Sequence, residues 1–236
     1  MPNNNIAAVL TRTDTWRGRN QRSPRRTLST GHRSLDLLLQ GGWPVSSITE
    51  LLPQQPGIGE LSLLLPTLKY YADNNQLCVW LDPPYQPYAP ALVGANIALN
   101  KLLLVRSKSH GEWLWAAEQS IRSGALLMAW TRQPSPRYAD LRKLQLAAAD
   151  SGNAAFLFSS PSKVLGSPSP VALRLELESL GVNQLLLTLH KMRGKAAGEK
   201  LALSLGEPWA QRTDLAMLPV DRHHGYLSNP ILRLNG

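Results

Sequence analysis

The chain has too few cysteines for a disulfide of its own: Cys78 is the only one among 236 residues. A lone thiol excludes an intramolecular bridge, and a reducing compartment is the simple reading. No apolar run approaches the ~20 residues that a membrane-spanning helix needs. The start, Met-Pro-Asn-Asn-Asn, lacks the basic residues and long apolar stretch of a secretory signal. These absences predict a soluble, cytoplasmic protein with no membrane partner. Acidic residues are also scarce, 16 against 25 Lys and Arg, for a formal charge of +9. The shortage is local. Residues 1–26 hold Arg12, Arg17, Arg19, Arg22, Arg25 and Arg26 against Asp14 alone. Such an arm suits contact with nucleic-acid phosphates or an acidic partner, and it equally suits a solvated tail.

What is present is core material. Hydrophobic residues make up 43% of the chain and charged ones only 17%, which argues against wholesale disorder. The length fits one good-sized domain with short tails. Three spans are expected: a basic, flexible arm over residues 1–26, a domain over 27–207, and a C-terminal tail or edge segment over 208–236. Within the domain, Ser34 reads as the cap of a short helix carrying Leu35, Leu37, Leu38 and Leu39, stopped by Gly41-Gly42. Continuously apolar segments at 46–52, 76–82, 101–107, 125–130 and 154–160 read as strands buried on both faces. Between them lie helical patterns at 61–73, with Pro66 inside, at 111–124 and at 135–152. That alternation predicts an α/β fold with a mostly parallel central sheet flanked by helices. After a Ser/Pro-rich loop at 159–170, "ALRLELES" alternates, and two more strand-like segments follow at hairpin spacing. These predict antiparallel strands added at one edge.

The stretch "ITELLPQQPGIGELSLLLP" reads as strand, glycine turn and helix, the layout of a phosphate-binding loop. The chemistry does not match the layout. With Gly59 as the second glycine of G-x-x-x-x-G-K-[ST], Gln54 takes the first glycine's place, Glu60 the lysine's and Leu61 the hydroxyl's. A carboxylate there repels phosphate, and no lysine lies between Arg33 and Lys69 to rescue another frame. The strand "ALLMAW" ends in Trp130 where an aspartate would be expected, and Asp82 is followed by Pro83-Pro84 with no glutamate. Together these losses predict a degenerate loop, Gly57, Ile58, Gly59, Glu60 and Leu61, with no catalytic residue, no ATP hydrolysis and no cofactor.

Several weaker candidates were weighed against plainer readings. Trp113, Trp115 and Arg122 suggest base stacking, but tryptophans two apart on a helix point in different directions, so one belongs in the core. His223-His224 lacks the partners of a metal site and reads as an exposed pair. Lys191, Arg193, Lys195 and Lys200 surround Gly194 and Gly198, which suits a DNA-phosphate contact or a solvated hairpin tip.

The order of these segments resembles the RecA core. "LSTGHRSLDLLLQGGWPVSSITEL" is similar to the lead-in to that family's Walker A loop. "CVWLDPPYQPYAPAL" resembles the strand and loop that carry its catalytic glutamate, here Pro84, and "GALLMAW" takes the Walker B place. "ALRLELES" and the following hairpin resemble its later strands. Within that superfamily the likeness is greatest to the ImuA family of translesion-synthesis accessories, and it extends to the SulA family of division inhibitors. It covers roughly residues 28–207. The strands beyond Ser160 and the complete "LSTGHRSLDLLLQGG" lead-in favour ImuA over SulA. That resemblance implies a non-catalytic adaptor, induced by the SOS response to DNA damage. It would bind an ImuB-like polymerase-family protein, an error-prone replicative-type DNA polymerase directly or through that protein, and RecA or DNA as further contacts. The alternatives are an FtsZ-binding division inhibitor and a DNA-binding module that uses the basic arm.

Overall fold

The computed structural model describes residues 26–131, 135–206 and 232–233. The arginines of the arm other than Arg26, most of the C-terminal segment and His223-His224 lie outside the described residues. Arg26 is exposed at the entry to the domain, and its carbonyl accepts from the Val45 N–H at 3.1 Å.

The domain opens with a small ribbon in which β1 (Thr27–Leu28) pairs antiparallel with β2 (Trp43–Pro44). Between them lies α1 (Arg33–Leu38). Ser34 is not its cap: His32 holds that place and makes no side-chain capping bond. The turn is fastened by Asp36, whose carboxylate accepts from the Thr30 N–H at 2.7 Å and the Ser29 hydroxyl at 2.6 Å. A longer-range carboxylate has displaced the expected local cap.

The chain then runs β3 (Ser47–Pro53), α2 (Glu60–Asp73), β4 (Cys78–Leu81), α3 (Ala89–Gly94), β5 (Leu102–Arg106), α4 (His110–Arg122), β6 (Leu126–Trp130), α5 (Tyr138–Ser151) and β7 (Ala154–Phe158). After the short α6 (Pro161–Val164) come β8 (Leu173–Gly181), β9 (Gln184–Met192) and β10 (Lys200–Ser204), and β11 (Leu232–Arg233) follows far along the chain. Among the described residues these form one nine-stranded sheet in the order β10-β9-β8-β3-β7-β6-β4-β5-β11. The strands from β8 to β11 in that order run parallel, and β9 and β10 add antiparallel. The mixed α/β class with an antiparallel edge is therefore as expected. One strand differs: β8 was expected antiparallel and instead lies parallel to β3. Residues 159–172, including α6, provide the crossover that a parallel neighbour requires, whereas only the tight turn after β8 forces a reversal.

Side-chain alternation explains the two strand textures. Trp80, Met128 and Phe156 enter one core with Leu63, Leu68 and Tyr71 of α2, while Val79, Leu127 and Leu157 enter a second core with Trp113 and Ala117 of α4 and Leu144 of α5. Central strands must be apolar on both faces. On β8, Leu173, Leu175 and Leu177 join the first core, whereas Glu176 and Glu178 face outward, so the segment alternates. Pro66 is accommodated inside α2, and a Cβ at Gly31 would collide with its ring. The two neighbouring tryptophans of α4 do part company, Trp113 at 3% and Trp115 at 52% exposure.

Candidate functional site

Parallel strands leave their carboxyl ends on one side of the sheet, where open α/β folds place ligands. At that side β3, β4, β5, β6 and β7 enclose a cavity of about 520 Å³. Pro53 and Gln54 border it from the end of β3, Asp82, Pro83 and Pro84 from the turn after β4, and Arg106 from β5. Trp130 at the end of β6 with Thr131 after it, and Phe158 at the end of β7 with Ser159 and Ser160 after it, complete most of the wall, with Pro56 and Glu60 of the glycine turn. Trp130 and Pro84, two of the positions singled out in the sequence, thus line the same cavity as Glu60.

The glycine turn closes on itself. Gly59 caps α2 with φ at +110°, in the left-handed region where a side chain is strained. Glu60 begins the helix and is only 5% exposed. Its Oε1 accepts from the Gly57 N–H at 2.9 Å. A carboxylate from the loop thus takes one of the amide donors that such a turn would offer a phosphate. Its other oxygen, Oε2, is buried and has no hydrogen-bond partner. Ile58 and Leu61 are half-buried and pack against the first core, Ile58 from the turn and Leu61 from the first turn of α2.

The rest of the wall is aromatic and proline-rich. Trp130 stacks on Phe158 with ring centroids 4.4 Å apart and planes 7° from parallel, and it leans on Trp80 at 5.8 Å. The Trp130 carbonyl accepts from the Trp113 indole at 3.0 Å, which fixes the strand end against α4. Asp82 adopts φ of +53° and accepts from the Ser107 N–H at 2.8 Å and from its hydroxyl, joining β4 to the residue after β5. Arg106 donates to the Pro83 carbonyl.

No family model matches the chain, and no curated protein matches it either.

The basic residues of the late hairpin are distributed differently from a free fingertip. Lys191 is half-buried and donates to the Ser169 carbonyl; burial, and then the neighbouring Arg174 charge, hold its pKa below the ordinary lysine value. Lys195 reaches back to the Leu38 carbonyl at 2.8 Å and pairs with Glu199 at 2.8 Å. Arg193 joins Lys191 beside a second cavity, at the opposite end of β3 from the first. Lys191 and Lys195 thus fasten the hairpin to the domain, and the structure does not bring them together with the glycine turn.

Two features escaped the sequence reading. One is the Trp130–Phe158 stack, since separate strand ends give no sign that they are neighbours. The other is a buried ion pair between Glu50 of β3 and Arg174 of β8. Arg174 Nη2 lies 2.7 Å from Glu50 Oε2, with side-chain exposures of 7% and 1%. A glutamate inside the otherwise apolar strand was the available signal, because a buried charge calls for a partner. Cys78 lies within the first core, where burial pushes its thiol up to about 12. Among the described residues no group of His, Cys, Asp or Glu is arranged to hold a metal ion, and no helix is long and apolar enough to cross a membrane.

Proposed function

We propose that this chain is a RecA-like, non-catalytic adaptor in SOS-induced, error-prone translesion DNA synthesis. In this reading its partner is an ImuB-like polymerase-family protein. An error-prone replicative-type polymerase is reached directly or through that protein, and RecA and DNA are further contacts. The observation that carries the reading is the glycine turn. The turn and its strand-to-helix connection are retained, while the Glu60 carboxylate holds the Gly57 amide and stands where a lysine would meet phosphate. Phosphate binding there would set anion against anion and forfeit an internal hydrogen bond. Trp130 and Pro84 remove the metal-binding and water-activating carboxylates from the same cavity. What such a cavity retains is a shaped surface at the sheet's carboxyl end, suited to a protein contact.

Two measurements test the reading. Titration of magnesium-ATP into the full chain gives neither heat nor a rise in melting temperature; saturable micromolar binding overturns the non-catalytic assignment. A tagged chain recovered from its own DNA-damaged cells brings down a polymerase-like protein, a replicative-type polymerase or RecA. Recovery of FtsZ without these assigns the fold to division control instead.

A further inference from the structure

The second cavity, at the amino end of β3, encloses about 510 Å³, and the charges that line it are of one sign. Lys191 and Arg193 border it, and no Asp or Glu does. Arg193 is exposed, and Lys191 is half-buried rather than sealed. Among the described residues the Lys191 ammonium has one hydrogen-bond acceptor, the Ser169 carbonyl, and no ion pair. An ammonium has three donors, so two remain. Glu50, the carboxylate whose charge acts on it, is already paired with Arg174. A cation in this condition has lost hydration without gaining a counter-ion, and an anion that enters the cavity recovers part of that loss. Neutral groups of the same wall also have donors to spare. Gln145 Oε1 accepts from the Ile48 N–H at 3.1 Å, which leaves the amide nitrogen with no acceptor among the described residues. The Ser46 hydroxyl has no partner among them either. Ser47 differs, since its hydroxyl donates to the Pro44 carbonyl at 3.1 Å.

We propose that this cavity binds the phosphate group of a phosphomonoester, held by Lys191 and Arg193. A monoester carries a charge of about −1.5 to −2 near neutral pH, which suits a wall with two cations and no carboxylate. A phosphodiester inside a strand carries less charge and needs a groove open at both ends, whereas a terminal phosphate can enter a cavity. The guanidinium fork matches phosphate oxygens, and the ammonium adds a point charge. The volume is of ordinary small-ligand size and leaves room for the group that the phosphate is attached to. The Gln145 amide and the Ser46 hydroxyl suit the hydroxyls of a sugar at that place. A free sugar phosphate and the 5′-phosphate at the end of a nucleic-acid strand share this chemistry. The inference does not depend on the adaptor reading, and either can fail alone.

The test titrates ribose 5-phosphate into the full chain by calorimetry, with ribose as the uncharged control. The phosphate is expected to saturate with a dissociation constant on the order of 1 mM or tighter, and ribose to give no saturation. Lys191→Met keeps the apolar stem and removes the ammonium, and a loss of about tenfold is expected. Arg193→Gln alters an exposed side chain and serves as the second variant should Lys191→Met unfold; a several-fold loss is expected there. Lys200→Gln, on an exposed lysine outside the cavity, is expected to change nothing. A pair of oligonucleotides of one sequence, with a 5′-phosphate or a 5′-hydroxyl, then separates the two sources. A preference for the phosphorylated strand that Arg193→Gln removes assigns the site to a nucleic-acid end. Saturation by ribose 5-phosphate without that preference assigns it to a free sugar phosphate. Three results each overturn the site: saturation by neither probe, unchanged affinity in folded Lys191→Met or Arg193→Gln, or an equal loss in Lys200→Gln, which would reduce the binding to diffuse surface charge.

Discussion

Glu50 and Arg174 show how much one buried charge can ask of its surroundings. Arg174 spends its donors on three acceptors: the Glu50 carboxylate, through Nε at 2.8 Å, and the carbonyls of Val164 and Ser167 at 3.0 and 3.1 Å. Glu50 gains a further donor from the Ser169 hydroxyl at 3.3 Å. The pair therefore joins two adjacent strands and pins the loop that crosses between them. Removing one partner leaves a carboxylate at about 1% exposure without its cation. Arg174→Ala is expected to lower stability by about 3–5 kcal/mol in a denaturant titration. Replacing Glu50 and Arg174 together with apolar residues of similar volume is expected to cost much less, because no lone charge remains buried. A single variant as stable as the parent chain would show that water or another cation fills the gap. Glu50 was visible in the sequence as a flaw in an apolar strand; its partner was not, because the two lie 124 positions apart.

At the scale of elements, the strand and helix segments were legible because period and composition agree. Continuous apolar runs became β4, β6 and β7, each buried on both faces, and the spacing of Trp113, Ala117 and Ile121 became the inner side of α4. Direction was less legible. The alternation of β8 identifies a strand with one covered face, but not which way it runs, and only the crossover before it settles that it lies parallel to β3. The capping residue of α1 was likewise invisible, since Asp36 reaches outside its own helix to Ser29 and Thr30. For the candidate site, the glycine turn and its missing lysine could be read directly, whereas the aromatic wall required the strand order. The turn itself yields an element-scale prediction. Gly59 has φ of +110°, and a Cβ there would stand 3.0 Å from the Leu205 side chain. Gly59→Ala combines backbone strain with a tight contact and is expected to lower stability by about 1–3 kcal/mol, measured by thermal or denaturant unfolding. Gly57→Ala meets no neighbour within 4 Å, so its cost comes only from a φ of +84° and should be smaller. Reversal of that ranking would mean that Leu205 yields more easily than its placement suggests.

At the scale of the whole molecule, the charge and the apolar core belong to different spans. Six of the chain's 25 basic residues fall within residues 1–26, and the late hairpin's Lys191 and Lys195 are occupied within the domain. If the chain grips nucleic acid, the arm is the span where basic residues most outnumber acidic ones in the sequence. DNA affinity is then expected to fall steeply as salt rises, and removal of residues 1–26 is expected to abolish most of it. Fluorescence anisotropy with a labelled oligonucleotide at several salt concentrations reads both effects. Affinity that survives the truncation would place the contact on the domain instead.

The Glu50–Arg174 pair also sets an order on biosynthesis. Glu50 leaves the ribosome 124 residues before the arginine that neutralises it. At ordinary elongation speeds that interval is on the order of 10 s. Throughout it β3 has its apolar side chains available for collapse but lacks the cation that makes burial of its carboxylate tolerable. The centre of the sheet can therefore be completed only when β8 arrives. Any nascent chain halted before residue 174 carries an unfinished strand, with an open edge and an unmatched charge, and is a natural client for chaperones or proteases.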